Sequence, residues 1–173
     1  MTQVILVNEL DEPIGVMEKL QAHQTASLHR AFSVFIFNQK GEMLLQKRAL
    51  QKYHSGGLWT NACCSHPLPG EDTKNAATRR LKEELGFETV LQHAFTFTYH
   101  AALDNGLTEH EIDHVFTGKY DGQININEEE VSAYRYEPMI AIKKMLDIAP
   151  QLYTPWFKIA FSKLESYLAS SSL

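Results

Sequence analysis

The sequence predicts a domain of the α/β (α+β) class, a mixed β-sheet core flanked by helices. Short runs rich in branched and aromatic residues recur along the chain, and segments with helical periodicity alternate with them. The length of 173 residues, with 44% apolar and 21% charged side chains, suits one globular domain spanning 1–173 with a core of its own.

Val4–Val7 reads as a first strand, closed by a turn around Leu10–Gly15 that supplies Asp, Pro and Gly. His23 and His29 fall in a segment read as a loop, since six residues is not a helical repeat. Ala31–Phe37 is a strand, and Asn38-Gln39-Lys40-Gly41 turns it into Met43–Lys47. Gly56-Gly57 precedes a short strand at Leu58–Ala62. Asp72 to Leu85 is a helix, with Asp72 or Thr73 to cap it and Gly86 to stop it.

His93–His100 and Glu111–Tyr120 are strands, joined through a polar segment containing Asp104-Asn105-Gly106. Val131–Tyr136 is a last strand and Pro138–Leu146 a helix. Thr154-Pro155 forms an N-cap and first-turn pair for a C-terminal helix whose apolar stripe is Phe157, Ala160, Phe161, Leu164 and Leu168.

The formal net charge of −5 argues against a nucleic-acid partner, while leaving room for a small anion held by a local cluster of cations. No apolar run reaches the roughly 20 residues needed to span a bilayer, and the N-terminus lacks the pattern of a signal peptide. The two cysteines, Cys63 and Cys64, are adjacent, so no disulfide framework exists and a reducing, cytoplasmic location is expected.

The chemistry-bearing residues cluster. Thr60-Asn61-Ala62-Cys63-Cys64-Ser65-His66-Pro67 sets a thiol two residues from an imidazole. On the helix that follows, about 100° per residue aligns Ala77, Leu81 and Leu85, with Glu84 at the stripe's edge and Glu83 pointing away. A carboxylate there needs a partner or a cation. Arg80, one turn earlier, offers the simplest one, an i,i+4 ion pair. Glu109 and Glu111, two apart in a strand, share a face about 7 Å apart and repel unless a cation lies between them. With His23, His29 and His66 they make three imidazoles and two carboxylates, a donor set for Mn²⁺, Mg²⁺ or Zn²⁺.

Glu71, Arg79, Glu83-Glu84 and Gly86-Phe87 resemble the second half of the Nudix box, which binds divalent cations and diphosphates. The chain departs from that pattern at Ser65, where the family has Gly, and at Arg80, where it has Glu. A lost carboxylate and a gained cation imply fewer metals and a chemistry other than diphosphate hydrolysis. Over nearly its whole length the chain is similar to the type 1 isopentenyl-diphosphate Δ-isomerases. That resemblance rests on Lys19, His23, His29, Lys47-Arg48-Ala49-Leu50, Lys52, the Thr-Asn-x-x-Cys-x-His-Pro string, the altered box, Tyr99, Glu109-His110-Glu111 and Thr154-Pro155-Trp156.

The resemblance implies reversible conversion of isopentenyl diphosphate to dimethylallyl diphosphate through a tertiary carbocation. It assigns Cys64 to one face of the substrate and Glu111 to the other, with Tyr99 beside Glu111 and the Trp156 indole toward the cation. Lys19, Arg48, Lys52 and Arg80 would hold the diphosphate, with Mg²⁺ on Glu84 and the Cys64 backbone carbonyl. His23, His29, His66, Glu109 and Glu111 would hold the second metal. The competing reading is a Nudix diphosphohydrolase acting on a nucleotide-like diphosphate. It would share the fold and Glu83-Glu84 but would not need Cys64, Glu111 or the histidines.

Overall fold

The structure, a computed structural model, describes residues 2–171. Among the described residues nine strands form one mixed sheet, and the elements follow in the chain order β1 (Gln3–Val7), β2 (Pro13–Glu18), α1 (Lys19–Gln24), β3 (His29–Phe37), β4 (Met43–Arg48), β5 (Trp59–Thr60), β6 (Cys63–Ser65), α2 (Thr73–Leu85), β7 (Gln92–Ala102), β8 (Thr108–Lys119), β9 (Val131–Glu137), α3 (Met139–Ile148) and α4 (Pro155–Ser171).

The hub is β3. Parallel β8 takes one of its edges along the full length, from His29 opposite Glu111 to Phe37 opposite Lys119. Antiparallel β1, β6 and β4 meet the other edge in turn, at His29, at Phe32–Val34 and at Phe37. Alternation along β3 feeds two cores, one on each face of the sheet. Phe32, Val34 and Ile36 pack with Leu81 and Leu85 of α2, while Phe35 packs with Phe157 and Phe161 of α4. Each such fully buried side chain contributes about 1.5–3 kcal/mol.

Helix α2 begins where Asp72 accepts a 3.0 Å hydrogen bond from the Asn75 N–H. It ends at Gly86, whose φ of 74° is left-handed and whose absent Cβ would lie 2.5 Å from the Asn125 carbonyl. Only glycine satisfies both demands. At α4, Thr154 Oγ1 accepts from the Phe157 N–H at 3.3 Å, as the Thr-Pro pair predicts.

Three expectations need correction. The turn expected over Leu10–Gly15 is shorter, because Pro13–Glu18 forms β2. That strand pairs only with β1 and leaves Ile14 and Val16 exposed, so it carries no buried alternation to read; Pro is tolerated at the start of such an edge strand. His23 and His29 do not share a loop. His23 lies in α1, whose six residues are too few to show a period, and His29 opens β3. Cys63–Ser65 is a strand of its own, and the segment expected as a strand over Leu58–Ala62 is reduced to Trp59–Thr60. Among the described residues no helix is long and apolar enough to cross a membrane.

Candidate active site

Strand register assembles the site. His29, Glu111 and Tyr99 stand abreast on β3, β8 and β7, and Cys64 on β6 stands opposite Ser33 on β3. On β8, the two-residue period turns Glu109, Glu111 and Asp113 to one face, and all three are buried.

Glu111 Oε1 collects the imidazoles. It lies 2.9 Å from His66 Nε2, 3.2 Å from His29 Nε2 and 3.8 Å from His23 Nε2. The ligand atoms of these four residues lie within 4.8 Å of one another. The other ring nitrogens of two histidines are already engaged: His29 Nδ1 with the Ser27 carbonyl at 2.7 Å, and His23 Nδ1 with the Tyr53 hydroxyl at 3.0 Å. Both rings therefore aim Nε2 inward, and the buried His23 Nε2 has no hydrogen-bond partner. An orphaned nitrogen facing a carboxylate and two more imidazoles is the donor arrangement of a divalent-metal site. Burial pushes His66 down to about 3, which keeps its ring neutral and able to ligate.

The fifth expected ligand, Glu109, is not in this cluster. Its Oε2 lies 2.9 Å from the Tyr99 hydroxyl, which lies 2.6 Å from Glu111 Oε2. One phenolic proton cannot serve two charged carboxylates. Burial first, and then the charge on Glu111, push Glu109 well above the usual carboxylate range. Burial also opposes charge on Glu111, but the imidazoles gathered around its Oε1, His66 foremost, hold it well below that range. Phenol and carboxyl together form a proton store beside an ionised Glu111.

Across the same cavity lies Cys64, partly open to it, with Trp156 also in the lining. Burial, and then the charge on Asp113, push the thiol up, so it rests protonated. Its sulfur is 3.0 Å from Asn61 Oδ1 and 3.4 Å from the Ser33 hydroxyl, which donates to Asp113 at 2.7 Å. Cys63 is fully buried, and both cysteines are free. Trp156 is buried in the α4 core, edge-on to His54 and with the Arg48 guanidinium 5.1 Å from its ring centre.

Lys19, Arg48, Lys52 and Arg80 all line the cavity. Burial, reinforced by Lys52 and Arg48, pushes Lys19 down to about 8. Buried Nε groups of Arg48 and Arg80 have no hydrogen-bond partner. Lys52 pairs with Glu130, as does Arg80 at 3.3 Å. The Arg80–Glu84 pair is present at 2.7 Å, and Glu84 also accepts from Gln46 at 2.8 Å. Sequence reasoning missed Ser33, Tyr53, Asp113 and Glu130. Asp113 carried a signal, as the third acid in an alternating row inside a strand. The others reach the site through contacts between residues 30 to 80 positions apart, which no local pattern reports.

A NUDIX domain model matches residues 27–157. The chain is 50% identical over 167 residues to the isopentenyl-diphosphate Delta-isomerase of Pectobacterium atrosepticum, covering 96% of this chain and 93% of that one. It is 50% identical over 155 residues to isopentenyl-diphosphate Delta-isomerase 2 of Photorhabdus laumondii, covering 90% and 88%. Among solved structures, a Deinococcus radiodurans protein superposes with a TM-score of 0.71 at 16% identity, covering 85% of this chain and 90% of that one. A MutT protein from Methanosarcina mazei gives 0.65 at 20%, covering 80% and 94%, and both likenesses show the fold. The altered box, the thiol and the histidine–glutamate cluster thus stand on a widely shared scaffold, and the chain belongs to the Nudix family and, within it, to the isopentenyl-diphosphate Delta-isomerases.

Proposed function

We propose that the chain, as one catalytic domain over 1–173, interconverts isopentenyl and dimethylallyl diphosphate. The observation that carries this is the placement of two proton-handling groups, Cys64 and the Glu111–Tyr99 pair, in one cavity also lined by four cationic side chains. A flat alkene between them gains a proton at its terminal carbon, becomes a tertiary cation at C3, and loses a proton from C2. Because the reaction is reversible, each group acts as acid in one direction and base in the other.

Trp156 offers an indole to the developing cation, worth on the order of 2 kcal/mol when desolvated, and its burial helps exclude the water that would capture it. Lys19, Arg48, Lys52 and Arg80 hold the diphosphate, and the orphaned guanidinium N–H groups support that role. In binding, the diphosphate displaces Glu130 from Lys52 and Arg80. Glu84 and the Cys64 carbonyl would hold the Mg²⁺ that accompanies it.

His23, His29, His66, Glu109 and Glu111 would hold one divalent ion, of Mn²⁺, Mg²⁺ or Zn²⁺ type, with Glu109 turning from its Tyr99 contact to join the other four. When bound, that ion supplies a fixed positive charge beside the Glu111 carboxylate. The partners expected are the small diphosphate and its metals, with no nucleic acid and no membrane, in a cytoplasmic setting.

Proton NMR of isopentenyl diphosphate with the protein and Mg²⁺ in D₂O tests the proposal. Dimethylallyl methyl signals, with deuterium entering the former terminal carbon, are the expected result. Unchanged alkene with phosphate released from nucleotide-like diphosphates would refute it in favour of the hydrolase.

A further inference from the structure

We infer that Asn61 is a positioning residue for Cys64, its amide oxygen fixing the direction of the thiol proton at the end of a hydrogen-bond chain that starts at the first turn of α4. The inference rests on the proposed role of Cys64 as a reactive thiol, but the geometry beneath it is independent of that role.

The amide of Asn61 has only one orientation open to it. Its Nδ2 donates to the Val34 and Cys63 carbonyls, both at 2.9 Å, and the residue is fully buried. With both amide protons committed, Oδ1 must face the thiol as a pure acceptor. It accepts at 3.0 Å from Cys64 and at 3.0 Å from the Thr60 hydroxyl.

Thr60 is itself committed. Its single proton goes to Asn61, so its lone pair accepts from Thr154 Oγ1 at 3.1 Å. Thr154 in turn accepts from the backbone N–H of Phe157 at 3.3 Å. Every donor in the sequence Phe157 N–H, Thr154, Thr60, Asn61 is thus used once and in one direction. Thr60 and Thr154 are buried, so no solvent competes for these groups.

Ser33 gives its proton to Asp113 and so offers the thiol a second acceptor, but its sulfur contact is longer, at 3.4 Å against 3.0 Å to Asn61. The S–H vector therefore points at Asn61, and the sulfur can release or regain its proton along one defined line. The same chain links that line to the helix that carries Trp156, so the cation-facing indole and the thiol are indexed to one polar frame.

Infrared spectroscopy of the S–H stretch reads this directly. Subtracting the spectrum of Cys64→Ala from that of the intact protein isolates the Cys64 band from that of Cys63. The band is expected at the lower frequency of a hydrogen-bonded thiol. Thr60→Val, which keeps shape but removes the competing donor on Asn61 Oδ1, should move it lower still, read against the Thr60→Val/Cys64→Ala pair.

General loosening of the site would move the band upward, so the sign distinguishes positioning from mere structural support. In Thr60→Val, kcat should fall about threefold with KM for isopentenyl diphosphate within about twofold. Asn61→Ala, if it folds, should move the band upward and lower kcat by about tenfold or more. A Cys64 band at the frequency of an unbonded thiol, or one that Thr60→Val leaves in place or raises, overturns the inference. Normal turnover by Cys64→Ala would instead sink the catalytic reading while leaving the hydrogen-bond result standing.

Discussion

Replacing Arg80 with Met removes the guanidinium but keeps the stem, and the structure sets what that should cost. Arg80 donates at 2.6 Å to Glu83, at 2.7 Å to Glu84, and stands 3.3 Å from Glu130. Glu83 is largely in water and loses little. Glu84 is 5% exposed and would keep its 2.8 Å hydrogen bond from Gln46 and its contact with the Cys63 thiol. Breaking a buried pair by removing one partner costs about 3–5 kcal/mol, and the surviving Gln46 bond places this case near the lower end, about 3 kcal/mol. For a chain of this size that lowers Tm by roughly 6–12 °C.

Arg80→Met/Glu84→Gln should recover about 2 kcal/mol of the summed single costs, because no buried charge is then stranded. Urea denaturation of the four proteins gives the coupling. Kinetically, Arg80→Met should raise KM for isopentenyl diphosphate about ten- to a hundredfold, the equivalent of one charge-assisted phosphate contact. Strictly additive stabilities would refute Arg80 as the countercharge of Glu84. A fall in kcat alone would place Arg80 in the chemistry and not in phosphate binding.

Cys64→Ala should reduce turnover at least a hundredfold while leaving thermal stability and diphosphate binding near normal, as calorimetry would show. Tyr53→Phe removes the hydrogen bond to His23 Nδ1 and should weaken divalent-metal retention about tenfold, measured by chelator competition without substrate; unchanged affinity would mean the ring is oriented by packing alone. Lys19 sits near 8, below the usual lysine value, so its charge is present under that pH and lost above it. The alkaline limb of kcat/KM should accordingly begin near there, and Lys19→Arg should move it upward; a limb unmoved by that change would exclude Lys19 from diphosphate binding.

The legible parts of this protein are those where a local pattern meets a local cause. Helix α2 could be bounded to within a residue, because Asp72 and Gly86 do their work within one turn of its ends. The placing of Glu84 at the core edge and Glu83 in solvent followed from helical geometry alone, and the pairing of Glu109 with Glu111 from strand geometry. Where the expectation failed, a local pattern was missing. β2 has no buried face, α1 is too short for a period, and the Cys64 strand is defined by β3 and not by its own residues. Spacing set Glu109 beside Glu111, and the register of the neighbouring strand adds the Tyr99 hydroxyl at 2.9 Å from its Oε2.

The sequence by itself determined the inventory and the family: a thiol, three histidines, a Glu-x-Glu pair and an arginine where related hydrolases carry a carboxylate. Those are matters of residue type and spacing along the chain. Which groups meet was decided only by the tertiary structure, because strand register sets it. The parallel pairing of β3 with β8 brings His29 beside Glu111, the β3–β6 pairing sets Cys64 against Ser33, and a shift of one residue in either would turn these side chains to the opposite face.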